Sequence, residues 1–169
     1  MTLPATVLEN QPGFYIRRLQ QIAVAVFIEE TKALGVTPVQ YAALAALHQQ
    51  ADVDQRTLAR RIGFDASTIG SVIDRLEARG LMQRNASPTD RRVRLLTLTP
   101  AGVDLVAAIE PAMLRAQERM LEPLPPPERA QFMEMLRKLV DANNALSRAP
   151  SEGCLPVEAL PFSSAEETP

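Results

Sequence analysis

In 169 residues the chain has a single cysteine, Cys154, and a single histidine, His48. One cysteine excludes an intrachain disulfide and a multi-cysteine metal site. One histidine leaves little for zinc chemistry or a serine-type triad. There is no glycine-rich phosphate loop and no nucleophile motif. No apolar run is long enough to cross a bilayer. Residues 2–11 are mixed and carry Glu9, unlike the basic-then-apolar layout of a signal peptide. The expectation is a cytoplasmic protein that is not an enzyme, with no catalytic residues, no metal, no cofactor and no membrane partner.

What the chain does have is a hydrophobic content of 46%, enough to build one domain, or one domain with a tail. Its net charge of −2 conceals a division. From Ala51 to Thr99 there are nine arginines against six acids, a local excess of +3, and the remainder carries −5. Positive charge gathered in one stretch is the electrostatic footprint of a nucleic-acid binder, although ordinary proteins polarise charge as well.

The residues inside that basic stretch are specific. Ile69, Val72, Ile73 and Leu76 recur at helical spacing and form one buried stripe. Ser67, Gly70, Ser71 and Arg75 occupy the opposite face, where short side chains permit close approach of a ligand. A preceding short helix, Gln55 to Ile62 with Asp54 as N-cap, joins this one through Gly63-Phe64-Asp65, a spacing that matches a helix-turn-helix. Past the C-cap at Gly80, Met82–Ser87 and Arg92–Leu98 pair as strands around Ser87-Pro88-Thr89-Asp90. A helix sized for a major groove, followed by an arginine-bearing hairpin, is DNA-reading equipment.

Around this lobe the pattern is helical. An apolar helix from about Gln11 to Ala33 is too widely hydrophobic for one partner surface, which makes a second subunit the natural supplier of another. Gly35 ends it. Thr37-Pro38 and Thr99-Pro100 each supply an N-cap and a proline at the first helical position. The helix opened by Thr99 runs toward Leu121 and contains Pro111, which should bend or break it. Pro123 to Pro127 is a stop, and a final amphipathic helix runs from about Pro127 to Ser147. The chain thus divides into a helical dimerisation region (11–35 and 100–148), a winged helix-turn-helix lobe (36–99) and a proline-rich acidic tail (149–169). The fold class is mainly α with a small β-hairpin wing.

This order of elements resembles the MarR family of bacterial regulators. The resemblance is carried by Leu58-Ala59, Ser67-Thr68 through Asp74-Arg75-Leu76-Glu77, Gly80-Leu81 and Arg84. It continues through Asp90-Arg91-Arg92 and Leu96-Thr97-Leu98-Thr99-Pro100-Ala101-Gly102. It covers about residues 12–147 and leaves the tail outside. The resemblance implies a homodimer whose two winged lobes bind double-stranded DNA at a pseudo-palindromic operator. It also implies a repressor released by a small ligand or an oxidant.

Candidate residues follow. Ser67, Thr68, Gly70, Ser71 and Arg75 are assigned to the groove-facing helix, with hydroxyls or a forked guanidinium meeting base edges and phosphates. Arg92, flanked by Arg91 and Arg94, is assigned to a minor groove. By resemblance, Asp90 steadies that wing. Arg56 and Thr57 stand at a helix start where phosphates bind. Asp74 would repel phosphate and is read as the structural partner of a nearby arginine. Arg17 and Arg18 lie in an apolar helix where an unpaired charge is costly. Relatives with paired arginines there commonly sense aromatic acids, so Arg17, then Arg18, with His48 as a second contact, are assigned to an aromatic carboxylate effector.

The organic-hydroperoxide-sensing branch carries its cysteine in the first helix. Cys154 lies in the tail, where nothing lowers its pKa, so redox sensing is not expected. The competing readings are a solvated helix face, a charged hairpin tip and a surface or intersubunit ion pair. At the level of function, the alternative is a ligand-independent winged-helix protein-interaction module.

Overall fold

The computed structural model of the chain describes residues 8–151. Six helices are ordered along it as α1 (Pro12–Glu30), α2 (Pro38–Gln49), α3 (Gln55–Arg61), α4 (Ala66–Ala78), α5 (Pro100–Leu121) and α6 (Pro126–Asn143). Three short strands, β1 (Val53–Asp54), β2 (Met82–Ala86) and β3 (Arg94–Leu98), complete the architecture. The tail beyond residue 151, Cys154 included, lies outside the described residues.

Side-chain caps fix where the helices begin. Thr37 accepts from the Gln40 N–H, and the Gln40 side chain accepts in return from the Thr37 N–H, a reciprocal capping box. Asp54 caps α3 through the Thr57 N–H at 2.8 Å, and Thr99 caps α5 through the Gly102 N–H at 3.1 Å. Gly35, Gly63 and Gly80 all carry positive φ at the ends of helical segments, where a Cβ would be strained.

The sheet order is β1-β3-β2, antiparallel throughout. The β2–β3 hairpin matches the sequence reading. The third strand does not appear in it, because two residues are too few to show alternation. Val53 nonetheless pairs with Leu96 and Asp54 with Leu95, so the segment before α3 is stitched to the hairpin. This makes the wing part of the lobe.

One buried cluster joins α2, α3, α4 and the sheet: Leu44, Leu47, Leu58, Ile69, Ile73, Leu76, Met82 and Leu96 are its fully buried large side chains. A second cluster of Phe27, Val36 and Ile109, with Leu34, Tyr41, Leu105 and Met113 against it, joins α1, α2 and α5. Burial, with Glu110 nearby, raises the Tyr41 phenol above its ordinary pKa. Outside this cluster, Glu30 accepts from Arg115 at 3.1 Å and Arg119 at 3.3 Å, holding α1 against α5. At the end of α4, Arg79 donates to the Gly35 carbonyl at 2.9 Å, tying that helix to the loop after α1.

Pro111 does not break α5, which continues through it as one helix. Pro111 and Ala107, the residue whose carbonyl loses its partner, are both exposed, so water can satisfy that oxygen.

The helices outside the lobe are only partly covered by their own chain. Phe27 is the one buried residue of α1, and none of the residues of α6 is buried. Tyr15, Ile16, Ile22 and Ile28 on α1 and Met135, Leu139 and Val140 on α6 are exposed. Among the described residues no helix is long and apolar enough to cross a membrane.

Candidate nucleic-acid interface

Asp65 organises the start of α4. Its carboxylate accepts from the Ser67 and Thr68 N–H groups at 3.0 and 2.8 Å, and from both of their hydroxyls. The Ser67 hydroxyl first, then the Thr68 N–H, hold the Asp65 carboxyl well below its ordinary range, at about 2. The sequence assigns these hydroxyls to DNA. Here their protons are committed to Asp65, which leaves their lone pairs outward as acceptors. Ser71 donates to the Thr68 carbonyl at 3.1 Å, inside the same turn.

Four buried residues, Ile69, Val72, Ile73 and Leu76, anchor α4 to the core. That fixes the outward face on which Ser67, Thr68, Ser71, Asp74 and Arg75 are exposed. Gly70 also serves the packing of α3 against α4. A Cβ there would meet the Gln55 amide at 3.1 Å, and that amide donates to the Ala66 carbonyl at 2.9 Å. The missing side chain therefore makes room for a bridge from α3 to α4.

The wing is built by backbone and short side chains. Ser87 is buried, and its hydroxyl accepts from the Thr89 and Asp90 N–H groups at 3.3 and 3.4 Å. Asp90 accepts from the Arg92 N–H at 2.9 Å, the steadying role that the family resemblance implies. Arg91, Arg92 and Arg94 are all exposed around this fixed turn.

Arg84 connects the wing to α4. From β2 its guanidinium pairs with both Asp74 and Glu77. Asp74 chiefly, opposed by partial burial, raises the Arg84 pKa above its ordinary value. Asp74 is thus the structural partner expected from its sign, and the arginine it serves is Arg84. Arg56 is exposed and Thr57 half-buried in the first turn of α3.

The two arginines assigned to an effector contact neighbours on their own helix. Arg17 lies over the Phe14 ring at 5.8 Å from its centroid, and Arg18 donates to Gln21 at 3.0 Å. Both are exposed, as is His48 near the end of α2. The premise that these arginines are buried fails within one chain, because the first half of α1 has little of its own chain against it. Among the described residues no group of three or more His, Cys, Asp or Glu is placed to hold a metal ion.

Comparison with known proteins is consistent across sequence and structure. Residues 36–93 match the family model described as MarR family. The chain is 37% identical, over 78% of its length and 80% of the relative's, to a Thauera aromatica protein described as a transcriptional regulatory protein for the hcr operon. It is 30% identical, over 79% of its length and 85% of the relative's, to the HTH-type transcriptional repressor NicR of Pseudomonas putida. BpsR of Bordetella bronchiseptica, solved in a study of how 6-hydroxynicotinic acid regulates its DNA binding, superposes with a TM-score of 0.77. It is 32% identical, with 80% of this chain and 97% of BpsR covered. The repressor CouR bound to a 23-mer DNA duplex superposes at 0.76 with 27% identity, over 83% of this chain and 99% of CouR. Relatives over this length are regulators of transcription, not enzymes. With a winged helix-turn-helix lobe, an arginine-bearing wing and these relatives, the chain belongs to the MarR family of transcriptional regulators.

Proposed function

We propose that the chain is a homodimeric repressor, released from a pseudo-palindromic operator by a small aromatic carboxylate. The observation that carries this reading is the Arg84 bridge, which ties α4 to the hairpin of the wing; Arg75, Arg91, Arg92 and Arg94, exposed on these elements, would form one basic face. Ser67, Thr68 and Ser71, whose protons are engaged within α4 and its cap, would accept at the major groove. Arg92 would enter the minor groove, and Arg56 and Thr57 would meet phosphates. Gly70 serves this surface indirectly, through Gln55.

Dimerisation is supported by the uncovered apolar residues of α1 and α6. A helix with no buried residue contributes little to a monomer's stability, and a partner's equivalent helices supply the missing surface. In this division, 11–35 and 100–148 form the dimer and 36–99 reads DNA. The effector reading is supported by BpsR, whose DNA binding is regulated by an aromatic acid, and by Arg17 and Arg18, whose guanidinium groups suit a carboxylate. A ligand that favours one lobe spacing over another shifts operator affinity by its differential affinity for the two states.

A mobility-shift assay on the DNA upstream of the chain's own gene tests this. The expected result is a complex that weakens steeply with salt, because arginine–phosphate contacts release counterions, and that dissociates on addition of 6-hydroxynicotinate or benzoate. Failure to bind that DNA at low salt would favour a winged-helix protein-interaction module. Binding that no aromatic acid disturbs would remove the effector class.

A further inference from the structure

The end of the described chain sits beside the helix-turn-helix. Asn144, just past α6, holds Ser151 by a reciprocal pair: its amide donates to the Ser151 carbonyl at 2.7 Å, and the Ser151 N–H donates to Asn144 Oδ1 at 2.9 Å. Ser151 in turn lies against the turn between α3 and α4, where a Cβ built on Gly63 would be 3.9 Å from the Ser151 side chain. Two residues before Gly63, Arg61 has a buried donor, Nη1, without a hydrogen-bond partner among the described residues. Such orphans are rare, and each calls for an acceptor.

The segment that continues from Ser151 supplies acceptors and little else that is charged. Residues 152–169 contain Glu152, Glu158, Glu166 and Glu167 and no lysine, arginine or histidine. It leaves the fold beside a lobe whose arginines exceed its acids. Extended, a segment of this length reaches up to about 60 Å, enough to lie along α4 and the wing.

We infer that segment 152–169 competes with DNA for the arginine face of the lobe, entering beside Arg61 and yielding to a duplex that binds tightly. The inference rests on the assignment of that face to DNA. A covalently attached competitor acts at an effective concentration on the order of millimolar. It subtracts the same free energy from every duplex, so weak non-specific complexes are lost while tight operator complexes survive. Without the segment, the chain's formal charge would move from −2 to +2 through the loss of four acids.

Fluorescence anisotropy with a random-sequence duplex of about two helical turns tests this on the full chain, a chain ending at Ser151, and a full chain carrying Glu152→Gln, Glu158→Gln, Glu166→Gln and Glu167→Gln. Both altered chains are expected to bind about tenfold more tightly at low salt, an advantage that shrinks as salt rises. A labelled peptide of residues 152–169 is expected to bind the shortened chain and to be displaced by the duplex. Equal affinity of the full and shortened chains would overturn the inference and leave DNA binding intact. So would tighter binding by the shortened chain alone, or a peptide that the duplex does not displace. Absence of duplex binding by all three chains would overturn both.

Discussion

Arg84 on β2 is paired with Asp74 on α4, and the same guanidinium reaches Glu77 one turn further along that helix. In the proposed function α4 and the hairpin read neighbouring grooves, which requires a fixed separation between them, and this ion-pair fork links the two elements. Arg84→Ala should lower DNA affinity by about tenfold, or ~1.4 kcal/mol. Thermal stability should fall only modestly, because partly exposed ion pairs contribute under about 1 kcal/mol each. Anisotropy and thermal melts on the same preparations check this. A loss of stability without loss of affinity would mean that the fork serves the fold alone. Arg84→Lys should not restore affinity, since an ammonium lacks the rigid, planar pair of nitrogens that meet the two carboxylates separately.

Asp65 predicts an acid-dependent stability. Its folded pKa, about 2, lies below the ordinary 3.8. A depressed carboxyl contributes stability that is fully present above the unfolded value and is lost as pH falls toward the folded one. The urea midpoint of the wild type should therefore exceed that of Asp65→Asn by a constant amount above about pH 5, and the gap should close between about pH 4 and 2. A gap that stays constant down to pH 2 would place the cap's stabilisation elsewhere.

Gly102 sits where the chain has no room. A Cβ there would lie 2.0 Å from the Leu81 carbonyl oxygen, whose position is held by the Thr99 N–H at 3.2 Å. Gly102→Ala should cost about 3 kcal/mol or more, because backbone and not a flexible side chain must move. Gly13→Ala meets nothing within 4 Å and should be neutral or slightly stabilising, as a helix propensity gain. Chemical denaturation of both variants gives the comparison.

Much of this was legible in the residues. Thr37-Pro38, Asp54 and Thr99-Pro100 announce three helix starts, and each side chain makes the predicted cap. Caps are local, so a sequence can show them. The stripe of Ile69, Val72, Ile73 and Leu76 likewise predicts which face of α4 is outward. What escapes is set by contacts between distant segments. Val53–Asp54 becomes a strand only because Leu95 and Leu96 lie beside it. Gly70 reads as space for a ligand, and the room it leaves for Gln55 from the preceding helix shows only in the fold. Pro111 looks like a breaker until its exposed position lets water take the orphaned carbonyl. The two arginines of α1 look buried from their neighbours, yet those neighbours have no cover within one chain.

The proposed effector role of Arg17 is separable from DNA binding. Arg17→Ala should retain the DNA complex and lose its release by aromatic acids, because Arg17 lies on α1, outside the lobe that carries the reading face. Titration of the preformed complex with 6-hydroxynicotinate or benzoate measures it. Normal release in the variant would remove Arg17 from the effector site.

The central claim is that two basic lobes, held apart by a shared helical body, read one duplex together. Hydroxyl-radical footprinting of the DNA upstream of the chain's own gene tests it most directly. The account predicts two protected half-sites centred about one helical turn, or whole multiples of it, apart, both lost together in an Arg75→Ala plus Arg92→Ala variant. A single unpaired footprint, or a paired one that survives the double substitution, would contradict it.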